Sequence, residues 1–215
     1  PGNCCIVCGK DIEEDPLGEI TIKALSNLCA LINAAHDEKT SPGKISILFS
    51  RPHNNSQGVN DMGVVPEFFP GYRDINNASN REKVEKLWGI KLSDNIFRKD
   101  AVNIIDLALN GKLKALYVMG ENPIINYPVG KDIQAALKRV DFIVVQDTFL
   151  TETAQLADVV FPAATFAEKE GTFTNMGMTV QPLNKAIQPV GDAKPDWQII
   201  CELAKKMGHA YSYLS

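Results

Sequence analysis

The sequence lacks any long apolar run. Its longest uninterrupted apolar stretches are the length of a strand, far short of the roughly 20 residues that a membrane-spanning helix needs. A basic charge balance is also missing, because 22 Lys and Arg residues stand against 26 Asp and Glu, for a formal net charge of -4. Because the apolar runs are short, we predict no membrane span. Because nucleic-acid-binding domains are usually basic, we predict no nucleic-acid partner either.

Cysteine and histidine are scarce and scattered, with five and three residues in a chain of 215. Cys5 and Cys8 form a CxxC, a spacing found at zinc, iron–sulfur and redox sites. No second CxxC accompanies it, and cysteine is often buried, so a buried strand over residues 4–8 is the favoured interpretation and no metal ligand is predicted. The odd cysteine count and the absence of a signal peptide favour a reducing, cytoplasmic location.

The familiar nucleotide-binding and hydrolytic motifs are missing as well. The sequence contains neither the G-x-G-x-x-G fingerprint nor a P-loop. No Ser/His/Asp set or Cys/His pair stands at a recognisable spacing. The carboxylates Glu168 and Glu170 lie in a Gly-rich segment, where solvated side chains are the expectation.

What is present is an alternation of strand and helix patterns, which predicts an α/β fold of three αβα layers around a mainly parallel, Rossmann-like sheet. Segments 51–72 and 168–188 have little periodicity, and we predict that they are loops. A domain boundary is predicted near Arg51, because a strand–helix–strand piece meets a long loop there. Strands are predicted over 4–8, 45–50, 113–119, 142–145 and 159–161. Helices are predicted over 19–35, 80–88, 99–110, 131–139 and 195–208. Asn80 is the predicted N-cap of its helix, and Pro195 is the predicted first residue of the last one.

Polar residues follow two neighbouring strands of this sheet. Gly120-Glu121-Asn122-Pro123 comes after one, and Gln146-Asp147-Thr148 after the next, with Thr151 and Thr153 close behind. Ligands of open α/β sheets bind outside the carboxyl ends of the strands, so a nucleotide-like cofactor across this sheet edge is the prediction. Two alternatives stay open: the Gly120 segment is an ordinary strand-to-helix turn, or Asp147 caps the helix that follows.

Arg51 directly follows the predicted strand 45–50, in the company of His53, Asn54, Asn55 and Gln57. A guanidinium group is permanently charged and binds carboxylate or phosphate through two donors, so this position suits an anionic ligand. A surface arginine on a loop is an equally open interpretation.

Many short motifs in fixed order resemble the molybdopterin oxidoreductases, and within them the catalytic (alpha) subunits of formate dehydrogenases. The large subunit of NADH–quinone oxidoreductase is a similar relative. The resemblance covers nearly the whole chain. It rests on Asn54–Gly58, Asp61-Met62-Gly63, Pro70-Gly71-Tyr72, Met119–Pro123, Gln146-Asp147, Thr151–Ala154, Ala157–Val160, Gly171–Asn175 and Asp196–Ile200.

The resemblance implies a fold of the formate dehydrogenase/DMSO reductase type, in which molybdopterin guanine dinucleotides hold Mo or W between two αβα domains. Residues 1–50 would be the end of one of these domains, and residues 51–215 most of the second, which binds a dinucleotide. It implies that Arg51 lies beside the metal and binds formate or a similar small anion. Iron–sulfur or NAD-linked subunits would be partners, and a 4Fe-4S cluster would lie outside this chain. The residues expected to contact the cofactor are Gly120, Glu121, Asn122, Gln146, Asp147, Thr148, Thr151 and Thr153.

The same resemblance suggests that the chain, which begins Pro1-Gly2 without a Met, is the central fragment of a larger subunit and is inactive alone. The sequence departs from the family pattern at Pro52, at His53 and over residues 176–179. Those departures favour the alternative of a structural domain in a respiratory NADH–quinone oxidoreductase that binds no pterin.

Overall fold

The structure is a computed structural model that describes residues 3–35, 43–51, 53–93, 104–127, 130–209 and 213. Its contacts divide the chain into two compact units. The first is Pro1–Asp94 with Thr172–Gln181, and the second is Asn95–Gly171 with Pro182–Ser215. The domain boundary near residue 51 stays a prediction, because compactness alone does not define the domains of a family. No described helix combines the length and apolarity needed to cross a membrane.

The first unit begins with a βαβ arrangement. Strand β1 (Cys4–Cys8) pairs in parallel with β2 (Ile45–Phe49), and helices α1 (Asp11–Glu14) and α2 (Gly18–Ala34) lie between them in the sequence. Parallel strands need such a crossover. The side chain of Asn33 joins the end of α2 to the start of β2, since its amide donates to Ile45 O at 2.8 Å and accepts from Ile45 N at 2.9 Å.

The predicted strand over residues 4–8 is confirmed. Its predicted burial is confirmed for Cys8, which is 2% exposed, but is wrong for Cys4 and Cys5, which are exposed. Among the described residues β1 pairs with β2 only, so its first residues are covered less than those of an interior strand.

The predicted loop 51–72 contains short elements. Helix α3 (Ser56–Asp61) is followed by β3 (Phe68–Phe69), which pairs antiparallel with β4 (Arg73–Asp74). These elements are too short to produce a periodic pattern. Helix α4 (Ala78–Trp88) follows and ends at Gly89 as predicted. Its N-cap is Asn77 rather than Asn80, because the Asn77 side chain accepts from the N–H groups of Ser79 and Asn80.

The second unit contains the parallel sheet predicted from the alternating pattern, which confirms the α/β fold class. Its strand order is β5 (Ala115–Met119), β6 (Phe142–Asp147) and β7 (Val159–Pro162), all parallel. Helices α5 (Ile104–Leu109), α6 (Pro123–Asn126), α7 (Gly130–Leu137) and α8 (Asp196–Lys206) belong to this unit. Residues 99–103 of the predicted helix 99–110 lie outside the described residues, and Pro195 is the N-cap of α8 rather than its first residue.

The core of this unit is formed by apolar side chains of β5, β6, α5 and α7. Val145, Ala108 and Ala136 have no exposed surface, and Ile133 and Leu137 are 1% exposed. Strand β6 is paired on both sides, with β5 and β7, and packs against this core, so the residues at its carboxyl end are held on a rigid element.

The predicted loop 168–188 is wrong in its middle, where β8 (Gly171–Thr174) and β9 (Val180–Leu183) form a two-stranded sheet. The connection of five residues makes this a hairpin, since parallel pairing would need a longer crossover. Strands of four residues around a Gly-containing turn are too short for an alternating pattern to stand out.

Candidate functional site

The register of the sheet brings the carboxyl ends of β5 and β6 side by side. Met119 is paired with Gln146, so Gly120 and Asp147 follow at the same edge. Gly120 N donates to Gln146 O at 2.9 Å, which ties the first residue after β5 to β6. The two polar segments identified in the sequence therefore meet at one place.

A cleft of about 410 Å³ opens at this edge, and we call it the strand-end cleft. It contains four of the residues predicted to bind a cofactor. Gly120 has φ 58°, and no atom lies within 4 Å of the place where a Cβ would stand. The space that a side chain would fill is therefore open, as a site for a close-fitting ligand requires. The cleft is lined by Gly120, Gln146, Asp147, Thr148, Phe149, Ala163, Ala164, Thr165, Phe166, Lys169 and Asp196.

A chain of hydrogen bonds crosses the floor of the strand-end cleft. The Tyr117 hydroxyl donates to Gln146 Oε1 at 2.6 Å, and Gln146 Nε2 donates to Asp196 Oδ1 at 2.7 Å. Lys169 then donates to Asp196 Oδ2 and forms an ion pair with it. Gln146 has no exposed surface, so a buried side chain links Tyr117 to Asp196 at the base of the cleft.

The pKa of Tyr117 is consistent with its hydroxyl being the donor in this chain of hydrogen bonds. Burial raises the pKa of the Tyr117 phenol, and the negative charge of Asp196 raises it further. The phenol therefore keeps its proton and acts as a donor. Sequence reasoning missed Lys169 and Asp196 as parts of the site, because they lie 23 and 50 residues after Gln146. Asp196 begins a helix and the motif Asp196–Ile200 of the family resemblance, but neither signal predicts that it contacts Gln146.

Asn122 is the centre of a second network, which joins the loop after β5 to the loop after β6. Its Oδ1 accepts from the Thr153 hydroxyl at 2.7 Å and from Thr153 N at 3.3 Å. Its Nδ2 donates to Glu152 Oε2 at 2.8 Å, and this bond is the main reason that the pKa of Glu152 is lowered. Thr153 has no exposed surface, so the network stabilises the loops beside the cleft.

The other predicted cofactor residues stay close to these loops. Glu121 Oε1 accepts from Asn122 N at 3.1 Å and from the side chain of Asn126. Thr151 Oγ1 accepts from Ala154 N at 3.2 Å, at the start of the 3₁₀ helix Ala154–Leu156. Glu121, Asn122, Thr151 and Thr153 are not among the residues that line the strand-end cleft, and their contact with a cofactor stays a prediction.

Asp147 is half-buried and lies at the last position of β6 rather than after it. Its Oδ1 accepts from Phe149 N at 3.1 Å, which shapes the turn out of the strand. The alternative that Asp147 caps the following helix is wrong, because the N-cap position of that 3₁₀ helix is Thr153.

Glu168 is buried rather than solvated, being 5% exposed. Its two carboxylate oxygens accept from Thr165 N at 2.8 Å and Val190 N at 3.1 Å. The Thr165 N–H is the main reason that the pKa of Glu168 is lowered. This carboxylate stabilises the segment that carries Lys169 into the strand-end cleft.

Arg51 lies in a separate cleft of the first unit, of about 400 Å³, which we call the Arg51 cleft. Arg51 itself is exposed and follows β2 after one residue. Another part of the lining comes from the turn of the β8–β9 hairpin, where Met176 and Met178 lie. The complete lining is Ile47, Leu48, Phe49, Arg51, His53, Asn54, Ser56, Gln57, Asn175, Met176 and Met178.

The hairpin turn is fixed next to the segment that follows Arg51. Asn55 Oδ1 accepts from Thr174 N at 2.9 Å, across 119 residues of sequence. Within the part of the chain that the structure describes, no group of three or more His, Cys, Asp or Glu side chains converges as metal ligands do. The lining of this cleft therefore combines the Arg51 guanidinium group with imidazole, amide and hydroxyl side chains and with apolar ones.

The chain matches one protein family over most of its length. The family model described as Molybdopterin oxidoreductase matches residues 3–206. The chain is 44% identical over 192 residues to the F420-dependent formate dehydrogenase subunit alpha of Methanocaldococcus jannaschii. This alignment covers 89% of this chain and 27% of the relative. It is also 44% identical over 160 residues to the F420-dependent formate dehydrogenase 1 subunit alpha of Methanococcus maripaludis. That alignment covers 74% of this chain and 23% of the relative.

Among solved structures, acetylene hydratase from Pelobacter acetylenicus matches with a TM-score of 0.47 and 27% identity, over 60% of this chain and 19% of that one. The chain spans 20% to 27% of the length of the first curated relatives that it matches.

Proposed function

The chain belongs to the molybdopterin oxidoreductase family, and we propose that it is part of the catalytic subunit of a formate dehydrogenase. The proposal concerns the whole subunit, because the matched relatives are several times longer than this chain. The observation that carries it is the strand-end cleft, where Gly120, Asp147 and Thr148 converge as the sequence predicts.

In this proposal the strand-end cleft holds part of one molybdopterin guanine dinucleotide. When bound, such dinucleotides hold a molybdenum or tungsten ion that accepts two electrons from the substrate. Gly120 leaves room for close approach, and the Asp147 carboxylate and Thr148 are the polar groups that a nucleotide would contact. Asn122 and Thr153 hold the loops on either side, so the cleft is formed before the ligand arrives.

Arg51 would bind the substrate. Formate is a small anion, and its oxidation gives carbon dioxide, one proton and two electrons. The guanidinium group binds the carboxylate and orients the C–H bond, which lowers the barrier through positioning and charge. The electrons would leave through iron–sulfur clusters to NAD-linked or F420-dependent partners, the latter cofactor appearing in the names of two relatives. Five free cysteines are consistent with a cytoplasmic, reducing location.

A second candidate is a structural domain of a respiratory NADH–quinone oxidoreductase that binds no pterin. The turn at Met176–Met178 favours it, because two apolar side chains stand there where the family pattern has charged ones. Measurement of metal and pterin in the full-length subunit distinguishes the two candidates, and a subunit without either would refute the formate dehydrogenase proposal.

The substrate arm of the test is Arg51→Ala in the full-length subunit. We expect kcat/KM for formate to fall by about 10²- to 10³-fold, the usual cost of losing one group that stabilises developing charge. Metal and pterin content should stay unchanged. Arg73→Ala is the matched control, since Arg73 is an exposed arginine of the same unit outside the Arg51 cleft. Equal formate turnover in both variants would contradict the role of Arg51.

The cofactor arm is Gly120→Leu, which places a side chain in the strand-end cleft. Gly111→Leu is the matched control, because Gly111 has a similar φ of 64° and equally open surroundings but lies outside the cleft. Both variants carry the same backbone strain, so only the Gly120 variant should lose pterin. Equal pterin content in the two variants would show that the cleft does not hold the cofactor.

A further inference from the structure

Helix α2 exposes more apolar surface than an ordinary surface helix does. A row of apolar side chains begins at its N-cap residue and recurs at spacings of three and four residues, and we call this row the outer stripe. The large side chains of the outer stripe are between 46% and 69% exposed. The outer stripe consists of Leu17, Ile20, Ala24, Leu28 and Leu31.

The outer stripe is separate from the side of α2 that covers the sheet. The residues of α2 that are not exposed are Gly18, Ile22, Leu25 and Cys29, and α2 packs against β2. Because each residue of a helix turns by about 100°, the centres of these two rows lie about 130° apart. The sheet therefore covers one apolar side of α2 and leaves the other exposed.

The remaining side of α2 is polar. Glu19 and Lys23 form an exposed ion pair there, and Ser26 is exposed as well. Thr21 lies between the two apolar rows, and its hydroxyl donates to Leu17 O at 3.1 Å within the helix. The two apolar rows together span about 200° of the helix circumference, against the roughly 100° of a helix that is covered on one side only. This pattern is typical of a helix that is covered on two sides.

The spacing of the outer stripe fits a second helix. Apolar side chains three and four residues apart form a row along a helix, and such a row interlocks with a similar row on a neighbouring helix. Ala24 stands at the middle of the stripe, where a small side chain lets the two helix axes approach closely.

Two observations favour a helix from elsewhere in the same subunit. The chain spans 20% to 27% of the length of the first curated relatives that it matches, so most of the polypeptide of such a subunit lies outside it. In the part of the chain that the structure describes, β1 and β2 form a sheet of two strands, whereas a stable sheet usually needs three or more. A sheet that is extended by further strands also needs further helices to cover it.

We propose that a helix from the part of the subunit outside residues 1–215 packs along the outer stripe, beside α2. The inference rests on the proposed function, which makes this chain part of a longer subunit. The partner helix carries large apolar side chains at spacings of three and four residues, and the two helices cross at a small angle of about 20°, as this spacing favours. The outer stripe is thus an internal interface of the subunit rather than a surface for another protein.

The first test places a photocrosslinking amino acid at Ile20 or at Leu31 in the full-length subunit, with Lys23 as the control position on the polar side. A denaturing gel separates links within one chain from links between two chains, and mass spectrometry identifies the linked segment. We expect both stripe positions to link within one chain to a segment outside residues 1–215 that has the spacing given above, and Lys23 not to do so. Links to a second copy or to another protein, links only within residues 1–215, or equal yields at all three positions would overturn the proposal.

The second test puts a charge on the outer stripe. Leu28→Asp should speed amide exchange in the peptides of α2 by at least about tenfold in the full-length subunit, because a carboxylate in a buried interface loses its water. Ser26→Asp is the matched control, since Ser26 is exposed on the polar side of the same helix and the variant gains the same charge. Equal exchange of α2 in the two variants would contradict burial of the stripe. If the charged variant does not fold, Leu28→Ala against Ser26→Ala repeats the comparison with the same expected direction, because truncation of a buried leucine is destabilising.

Pterin content and formate turnover of the full-length subunit separate failure of this interface from failure of the proposed function. A subunit without pterin or formate turnover whose stripe still links to an outside helix would refute the proposed function and leave the interface standing. A subunit that binds pterin and oxidises formate, but whose stripe positions link no better than Lys23, would refute the interface alone.

Discussion

Removing the Tyr117 hydroxyl tests whether the hydrogen-bond chain under the strand-end cleft stabilises the sheet. The hydroxyl donates to Gln146 Oε1 at 2.6 Å, and Gln146 has no exposed surface. Tyr117→Phe deletes this donor with almost no change of shape. The amide oxygen of Gln146 is then left inside the protein without its partner.

The expected cost is about 1 to 3 kcal/mol, the usual penalty for a buried acceptor that loses its donor. Because about 1.4 kcal/mol corresponds to a factor of ten, amides of β6 should exchange about 5- to 150-fold faster with solvent. The assay is hydrogen exchange by mass spectrometry on the intact subunit, read from peptides covering Phe142–Asp147. This readout is local, so it does not depend on how the rest of the subunit unfolds.

Tyr127→Phe is the control, since Tyr127 is a half-exposed tyrosine of the same unit that lies outside this chain of hydrogen bonds. Exchange in β6 should be the same in that variant as in the unchanged protein. If Tyr117→Phe also leaves β6 exchange unchanged within about twofold, the hydroxyl does not stabilise Gln146. The description of the cleft floor as one connected chain would then be incorrect.

Three further predictions concern local stability and use the same exchange assay. The lowered pKa of Glu168 means that its carboxylate stabilises the fold above its ordinary pKa of 4.5 and stops doing so as pH falls through the lower folded value. Glu168→Gln should therefore speed exchange near Thr165 at pH 7, with a difference that shrinks below pH 4.5; a constant difference would contradict this. Gly63→Ala should lower the local free energy of unfolding by at least about 2 kcal/mol, because φ of Gly63 is 72° and the new Cβ would stand 2.4 Å from Pro70 N. Equal exchange around residue 63 in the variant and the unchanged protein would refute the clash. Asn77→Ala should cost about 1 kcal/mol at the start of α4, as the loss of a cap does, and unchanged protection there would show that the cap is dispensable.

The sequence predicted elements whose pattern is local and long enough to repeat. The apolar run at β6 predicted a buried strand, and the 17-residue helix α2 was predicted within one residue at each end. Short elements were missed for the same reason, since α3 has six residues and β8 has four. The cap of α4 was misplaced because both Asn77 and Asn80 are good caps, and only the geometry distinguishes them.

The candidate site could be predicted only where it depends on chain order. The carboxyl ends of parallel strands meet at one edge, so Gly120 and Asp147 could be placed together from the strand pattern alone. The partners of Gln146 could not be predicted, because Asp196 is 50 residues away and its approach depends on how α8 docks. That docking is set by backbone bonds between Lys194 and the end of β7, at 3.1 Å to Pro162 O.

The polar residues at the sheet edge divide into two groups with different physical roles. Gln146, Asn122 and Thr153 are committed to hydrogen bonds within the protein, and two of them have no exposed surface. A ligand in the strand-end cleft would therefore meet chiefly the backbone at Gly120 together with the outward side chains of the lining. Backbone groups recognise a ligand through shape, and their position depends on the buried side chains behind them. It follows that substitution of Gln146, which is buried at the edge of the cleft, should weaken ligand binding as strongly as substitution of an outward side chain of the lining, because both change the same surface.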